Sequence, residues 1–246
     1  MLLLAHISDT HLDGSERNAE RTRRVMDHLN GLRRPVDAIL VTGDIADHGL
    51  PDEYAEAAKL LVSPSPVLRC PGNHDVRESY RAVLLDQPPS AGPVNEVHLL
   101  GGARFAMCDS SIPGRADGLL SDETLEWLDE TLAAPPAGTP AFVCFHHPPV
   151  VLHEPGIDAI RQSGAERLAA VLGRHPQVVA LLCGHAHTAA VSTFARRPLL
   201  AAPGVVSTLR LAWEHGEWLD YDAPPGVAFH VLDDEQGLTT HYRAVT

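Results

Sequence analysis

The chain has 246 residues, a length that fits one α/β domain with a full core and leaves no room for two ordinary ones. Its 44% hydrophobic and 21% charged residues exclude a disordered protein, and its net charge of −13 excludes a broad basic surface for nucleic acid. We find no apolar run of about 18 residues and no signal peptide, so we expect no membrane association. The sequence thus predicts a cytoplasmic protein with a single domain over residues 1–246.

Short apolar runs alternate with helical patterns up to residue 183, which is typical of a layered α/β fold. The strands predicted in this part cover residues 2–7, 38–42, 67–69, 104–109, 141–145 and 178–183. The predicted helices cover residues 19–32, 52–61, 122–133 and 164–174. Ser121 and the acidic residues after it form a suitable start for the third helix.

The pattern changes from residue 198 onward. The segments predicted as strands there are 199–202, 207–213, 227–232 and 238–244, with turns at Pro203-Gly204 and over 233–237. No flexible linker precedes them. We therefore expect an antiparallel β extension of the same domain.

Side chains able to bind metal ions are concentrated in five short segments, and each segment directly follows a predicted strand. The segments are Asp9-Thr10-His11, Gly43-Asp44, Gly72-Asn73-His74-Asp75, His146-His147 and Gly184-His185-Ala186-His187. Ligands of open α/β sheets bind at the carboxyl ends of the strands, so these segments can meet in one crevice. The glycines at 43, 72 and 184 are expected to allow tight turns beside the ligands.

The residue types indicate the chemistry. Carboxylate, imidazole and amide ligands without thiolate suit first-row metal ions such as Fe, Mn or Zn. Asp44 is placed to bridge two of them. Two metal ions roughly 3.5–4 Å apart can clamp a phosphate and lower the pKa of a bound water to about 7. Each segment alone is a weak signal, but together they predict a hydrolase that cleaves a phosphoester bond with two adjacent metal ions.

The ordered set Asp-x-His, Gly-Asp, Gly-Asn-His-Asp, His-His-Pro-Pro and Gly-His-x-His, from residue 9 to residue 187, resembles the calcineurin-like metallophosphoesterases. The resemblance implies a four-layer α/β/β/α sandwich and two metal ions per chain, often iron with manganese, with zinc as an alternative. It implies that the first ion is bound by Asp9, His11, Asp44 and His187. It implies that the second ion is bound by Asp44, Asn73, His146 and His185.

The same resemblance implies roles for the neighbouring residues. His74 would contact the phosphate and protonate or stabilise the leaving oxygen, and Asn73 would help to stabilise the developing charge. Asp47 and Asp75 are candidates to orient a histidine. Spacing leaves open whether His146 or His147 binds metal, and the family pattern favours His146.

The residues from His146-His147-Pro148-Pro149 through 156–161 to Cys183-Gly184-His185 narrow the resemblance to bacterial class III cyclic nucleotide phosphodiesterases and related glycerophosphodiesterases. This implies a small phosphodiester substrate, with 3′,5′-cyclic AMP as the first candidate. Asp158 and Arg161 are candidate substrate contacts, because their loop lies where such enzymes shape the pocket. Trp213 and Trp218 flank a segment expected to form an edge or a homodimer contact.

Several alternatives to this function stay open. A glycerophosphodiesterase or a phosphomonoesterase would use the same metal core. A nuclease of this superfamily is disfavoured, because the chain is short and acidic and has no added DNA-capture domain. A non-catalytic metal-binding scaffold is disfavoured as well, since all the inferred ligands and His74 are present.

Overall fold

The computed structural model describes residues 1–246, which form six helices and fifteen strands. The helices are α1 (Glu16–Asn30), α2 (Pro51–Leu60), α3 (Arg77–Leu84), α4 (Asp122–Ala133), α5 (Pro155–Ala159) and α6 (Ala165–Gly173). The strands are β1 (Leu2–Ile7), β2 (Ala38–Thr42), β3 (Val67–Cys70), β4 (Glu96–Leu100), β5 (Ala103–Met107), β6 (Gly118–Leu119), β7 (Ala141–Cys144), β8 (Gln162–Ser163), β9 (Val178–Cys183), β10 (Ala190–Phe194), β11 (Arg197–Ala201), β12 (Thr208–Leu209), β13 (Leu219–Asp220), β14 (Gly226–Asp233) and β15 (Gly237–Ala244).

Most of the strands belong to two sheets. The first sheet has the order β15-β14-β1-β2-β3, in which β1, β2 and β3 are parallel and β14 and β15 are antiparallel additions. The second has the order β10-β11-β9-β7-β5-β4, with four parallel central strands and antiparallel edges. Because parallel strands end at the same edge of a sheet, the loops after β1, β2 and β3 leave their sheet together, as do those after β7 and β9.

Three apolar cores separate four layers. Between the two sheets, side chains such as Leu40 and Phe142 are fully buried. The rings of Phe105 and Phe142 stack there with their centroids 5.2 Å apart. A second core lies between the first sheet and α1, α2 and α3, and a third between the second sheet and α4 and α6. The predicted four-layer α/β/β/α sandwich is confirmed.

Helix α1 illustrates how local sequence sets these boundaries. The Ser15 hydroxyl accepts a hydrogen bond from the amide of Asn18, and the helix ends before Gly31. Ser121 caps α4 in the same way, as its sequence predicts.

None of the six helices combines the length and the apolar character that crossing a bilayer requires.

Some elements were not predicted from the sequence. Helix α3 follows the Gly-Asn-His-Asp segment almost directly, and β4 and β10 are edge strands in which exposed side chains alternate with half-buried ones. Strands β10 and β11 join through Ala195 and Arg196, whose φ angles are 47° and 66°. Two-residue hairpin turns with this backbone usually contain Asn or Gly. The sequence signal for this hairpin was therefore absent.

The C-terminal part of the chain contributes to both sheets. Strand β11 is parallel to β9 and not part of an antiparallel extension as expected, because β10 reverses the chain before it. The predicted strand over 207–213 is wrong for most of its length, since only Thr208–Leu209 is a strand and it pairs with β13. Strands β14 and β15 confirm the predicted antiparallel extension.

Residues 202–225, which we call the 202–225 segment, connect the two sheets and carry the β12–β13 pair. Leu209 is buried against Ile157 of α5 and Ala186 of the loop after β9. On its other side, the Arg21 guanidinium of α1 donates to the carbonyl of Val205 at 2.8 Å. The segment is therefore fixed between α1 and α5, beside the edge where the strand-end loops leave.

Candidate metal centre

The loops that follow β1 and β2 continue to pair beyond the ends of the strands. The amide of Asp9 donates to the carbonyl of Gly43 at 3.1 Å, and the amide of His11 donates to the carbonyl of Asp44 at 2.9 Å. Side chains from both strand ends are thereby held next to each other. This arrangement brings three predicted ligands together at the edge of the first sheet.

The loop after β9 brings the second sheet to the same place. The amide of Gly184 donates to the carbonyl of His146 at 3.0 Å, and a Cβ atom on Gly184 would lie 2.7 Å from the carbonyl oxygen of Thr42. Of the three glycines expected to allow tight turns, only Gly43 has a positive φ, 89°. Gly72 and Gly184 are needed because neighbouring atoms leave no space for a side chain.

Most of the predicted ligands have an unusual backbone conformation. Left-handed φ angles occur at Asp9 (60°), His11 (37°), Asp44 (48°), His185 (66°) and His187 (48°). Residues other than glycine rarely adopt this conformation, which costs on the order of 1–3 kcal/mol each and clusters at functional sites. The surrounding loops therefore hold these side chains in place against a local preference for other conformations.

One half of the centre contains Asp9, His11 and His187, whose candidate ligand atoms all lie within 4.8 Å of one another. The Nε2 atoms of His11 and His187 are 3.2 Å apart, and Asp9 Oδ1 lies 3.5 Å from His187 Nε2. The Nδ1 atom of His187 is 2.8 Å from the Ser207 hydroxyl. A histidine whose other ring nitrogen is held in this way has Nε2 available for a metal ion.

The other half contains His146 and His185, with His185 Nδ1 3.2 Å from His146 Nε2. Asp44 lies between the two halves, because its Oδ2 atom is 3.2 Å from His146 Nε2 and 3.6 Å from His11 Nε2. This is the position that a bridging carboxylate requires. The structure thus brings all six predicted Asp and His ligands together.

The donor set fits metal ions. Asp9 Oδ2 and His185 Nε2 are buried and have no hydrogen-bond partner. Burying such atoms without a partner is costly, and a cation satisfies them. The four cysteines are buried and free, and none belongs to the candidate ligand groups, so the donors are the oxygens and imidazole nitrogens that suit Mn, Fe and Zn.

Burial and neighbouring charges give the side chains of the centre different protonation states. Although burial opposes ionisation of Asp44, the neighbouring His146 holds the pKa of this carboxyl well below its usual range. Burial and the proximity of His146 lower the pKa of His185 to about 3. For His146, burial is outweighed by Asp44, which raises the pKa of the imidazole to about 9. Asp44 and His185 therefore have the protonation states that metal ligands need, whereas a metal ion bound by His146 would displace a proton.

The two adjacent histidines have different surroundings. His146 donates from Nδ1 to the carbonyl of Thr42 at 2.6 Å, which leaves Nε2 facing Asp44. The Ser110 hydroxyl oxygen accepts from the amides of both histidines, so its own hydrogen is free for His147 Nδ1, 2.8 Å away. The proton of His147 then lies on Nε2, 3.1 Å from Asn73 Oδ1. In this arrangement His147 donates to the amide of Asn73.

Asp47 and Asp75, both expected to orient a histidine, differ in what they contact. Asp47 Oδ1 accepts from His11 Nδ1 at 2.8 Å, as expected. Asp75 contacts no histidine. Its carboxylate accepts from the amides of Ile45, Ala46 and Gly72 and from the Tyr54 hydroxyl. Asp75 thus orders the loops after β2 and β3, and burial together with the charge of Asp44 raises the pKa of its carboxyl to about 6.

A cavity of about 620 Å³ opens above these side chains. Asp44, His185 and His187 belong to its wall, as do Asn73 and His74. His74 donates from Nδ1 to the carbonyl of Asp47 at 2.7 Å, which leaves its Nε2 atom for a ligand. The volume lies in the range of small-molecule sites.

Asp158 and Arg161, the candidate substrate contacts, do not line this cavity. The Asp158 carboxylate accepts from the amide of Leu152 at 2.7 Å, and Arg161 donates to the Asp158 carbonyl. Ile157 and Ile160 of the same loop form part of the cavity wall instead. The loop was correctly placed near the pocket, but its polar side chains stabilise the loop itself.

Trp218 and Tyr221 also line the cavity, and the sequence did not indicate this position for either. Trp218 was expected at an edge or in a dimer contact. Both residues belong to the 202–225 segment, which reaches the cavity only because it packs between α1 and α5. No local sequence pattern reports such a tertiary position.

Comparisons with known proteins agree with this geometry. A probable cyclic nucleotide phosphodiesterase from Rhodococcus erythropolis is 37% identical over 246 residues, which cover 94% of this chain and 80% of that protein. The glycerophosphodiester phosphodiesterase GpdQ from Enterobacter lignolyticus is 33% identical over 255 residues, which cover 97% of this chain and 90% of that protein. A dimetal phosphatase from Danio rerio has the same fold, with a TM-score of 0.66, 15% identity and coverage of 100% and 99%.

The family described as calcineurin-like phosphoesterase matches residues 2–189. This range contains both β-sheet edges that form the centre and every ligand predicted from the sequence. The match and the geometry thus concern the same residues. The chain therefore belongs to the calcineurin-like phosphoesterase family.

Proposed function

We propose that this chain is a dinuclear-metal phosphodiesterase that hydrolyses 3′,5′-cyclic nucleotides, with 3′,5′-cyclic AMP as the first substrate to test. The observation that carries the proposal is the position of the Asp44 carboxylate between two groups of imidazoles at the base of a cavity. The phosphodiesterase names of the two relatives support the reaction class.

The proposed ligands are those implied by the sequence. Asp9, His11, Asp44 and His187 would hold one metal ion, and Asp44, Asn73, His146 and His185 would hold the other. When bound, the pair supplies an activated water and neutralises charge on the phosphate. We assign iron and manganese to the pair, with zinc as the alternative. A homodimer and a cytoplasmic location stay predictions as well.

His74 and Asn73 are the proposed catalytic side chains. The hydrogen bond from His74 Nδ1 to the Asp47 carbonyl orients the ring, so Nε2 is the atom that would protonate or stabilise the leaving 3′-oxygen. The hydrogen bond with His147 orients the amide of Asn73 at the cavity wall. Both side chains line the cavity, and neither would form a covalent bond to the substrate.

Separate replacement of His146 and His147 by alanine tests which of the two histidines binds a metal ion. For His146→Ala we expect the metal content to fall from two ions to about one per chain, because its Nε2 atom faces Asp44 and His185. For His147→Ala we expect both ions to remain and activity to fall about 10- to 100-fold, as is typical when a residue that orients a ligand is lost. Elemental analysis of the purified variants measures both contents. The reverse pattern would identify His147 as the ligand.

The reaction is tested with Mn-loaded protein, 3′,5′-cyclic AMP, bis(p-nitrophenyl) phosphate and glycerophosphoethanolamine, each with and without chelator. We expect chelator-sensitive cleavage of cyclic AMP and of the synthetic diester. Cleavage of glycerophosphoethanolamine but not of cyclic AMP would instead support the glycerophosphodiesterase alternative, which the GpdQ relative favours. Bound metal with no turnover of any substrate would support a non-catalytic scaffold.

A further inference from the structure

Two aromatic side chains in the cavity wall have no part in the metal centre. Trp218 is 46% exposed and Tyr221 is 53% exposed, whereas large aromatic side chains are highly buried on average. Both line the cavity that contains Asp44, His185 and His187. Exposed aromatic surface that faces a cavity is available for a ligand.

Trp218 is held in place on two sides. Its indole ring lies against Gly156 of α5, where an added Cβ atom would be 2.8 Å from the ring. Its carbonyl oxygen accepts from the amide of Arg210 at 2.9 Å, beside the pairing of Leu209 with Leu219 in β12 and β13. A ring that is ordered before the ligand arrives loses little entropy on binding.

Tyr221 is also held in place. The Arg17 guanidinium of α1 lies 5.1 Å from the centre of its ring, a cation–π distance. Arg17 also donates to the carbonyl of Val206 at 2.9 Å. These contacts connect α1, Tyr221 and the 202–225 segment, so Tyr221 has a fixed position at the cavity wall.

The residues of this wall favour a phosphodiester that carries a nucleobase over a glycerophosphodiester. The side chains of Ile157, Ile160 and Val206 also line the cavity and offer only apolar contacts. A purine or pyrimidine has a flat π surface that stacks on such side chains, whereas glycerol and ethanolamine have none. Ser15 also lines the cavity, and its hydroxyl, which accepts from the amide of Asn18, keeps its hydrogen to donate to a ribose or a base edge.

From this arrangement we infer that Trp218 and Tyr221 form a stacking wall that binds the base of a nucleotide whose phosphate lies at the metal centre. The inference rests on the proposed function and assigns the preference for a nucleotide over a glycerophosphodiester to these two residues. Trp218 is the main contact, because its ring has the larger surface and is held against Gly156 of α5.

The test compares binding of 5′-AMP and of ribose 5-phosphate to the Mn-loaded protein by calorimetry. The two ligands share the phosphate and the sugar and differ in the base. We expect Trp218→Leu to weaken AMP binding about tenfold, within the range of one base–aromatic stack, and to leave ribose 5-phosphate unchanged. Trp218→Phe should restore most of the lost affinity, and Tyr221→Leu should show a smaller loss.

Trp213→Leu is the matched control, because Trp213 lies in the same segment, is 69% exposed and does not line the cavity. Equal AMP affinity in the Trp213 and Trp218 variants would overturn the inference. So would a wild-type protein that binds AMP no better than ribose 5-phosphate. These results are independent of turnover, so a failure to cleave cyclic AMP would contradict the proposed reaction without deciding whether the base is bound.

Discussion

Replacement of Asp44 by alanine is expected to abolish hydrolysis of phosphodiesters and to leave less than one metal ion per chain. Asp44 Oδ2 lies within 3.6 Å of imidazole nitrogens from both halves of the centre, so its loss removes a ligand from each proposed ion. We expect at least about a 10³-fold fall in kcat/KM, because several kcal/mol of charge stabilisation depends on the metal pair. Elemental analysis and hydrolysis of bis(p-nitrophenyl) phosphate measure the two effects.

Asp129→Ala serves as the control for this variant. Asp129 also bonds to a histidine, His175, but lies on α4 and does not line the cavity. It should keep both metal ions and normal activity. An Asp44→Ala protein that retains two ions and most of its turnover would contradict the bridging role.

His74→Ala is expected to keep the metal ions and to lose about 10²–10⁴-fold in kcat for cyclic AMP, the usual contribution of a positioned acid. The leaving alkoxide of cyclic AMP needs a proton, whereas p-nitrophenolate is a good leaving group. The loss with bis(p-nitrophenyl) phosphate should therefore be much smaller. Comparison of the two substrates with the same variant distinguishes proton donation from simple binding of the phosphate.

His215→Ala provides the comparison, because His215 is exposed in the 202–225 segment and does not line the cavity. Its rates with both substrates should equal those of the wild type. If His74→Ala hydrolyses both diesters normally, the assigned role is wrong. Equal losses with both substrates would indicate that His74 binds the phosphate and transfers no proton.

The position of the candidate metal centre could be predicted because it depends on topology. Each predicted ligand directly follows a strand, and parallel strands end together, so Asp9 and Asp44 had to be neighbours once β1 paired with β2. The segment order also identified the family correctly. Short sequence patterns were sufficient to place the candidate ligands, because each ligand lies within a few residues of a strand end.

Features that depend on packing between distant segments were not predictable. Trp218 reaches the cavity because residues far apart in the sequence, among them Gly156 and Leu209, place its segment there. The orientation of the His147 ring depends on the Ser110 hydroxyl, which comes from a different strand end. Asp158 had the residue type of a ligand contact, but its carboxylate is already used by the amide of Leu152.

The 202–225 segment has a consequence for how the protein can change over evolutionary time. The proposed metal ligands all lie at strand ends within residues 9–187, whereas the aromatic wall is supplied by one later connection between the sheets. Loops tolerate insertion and replacement better than the strands that they connect. Ser207, which holds His187, must be kept, but exchange of the rest of the segment after it would alter which diesters are accepted while the metal ligands keep their supports.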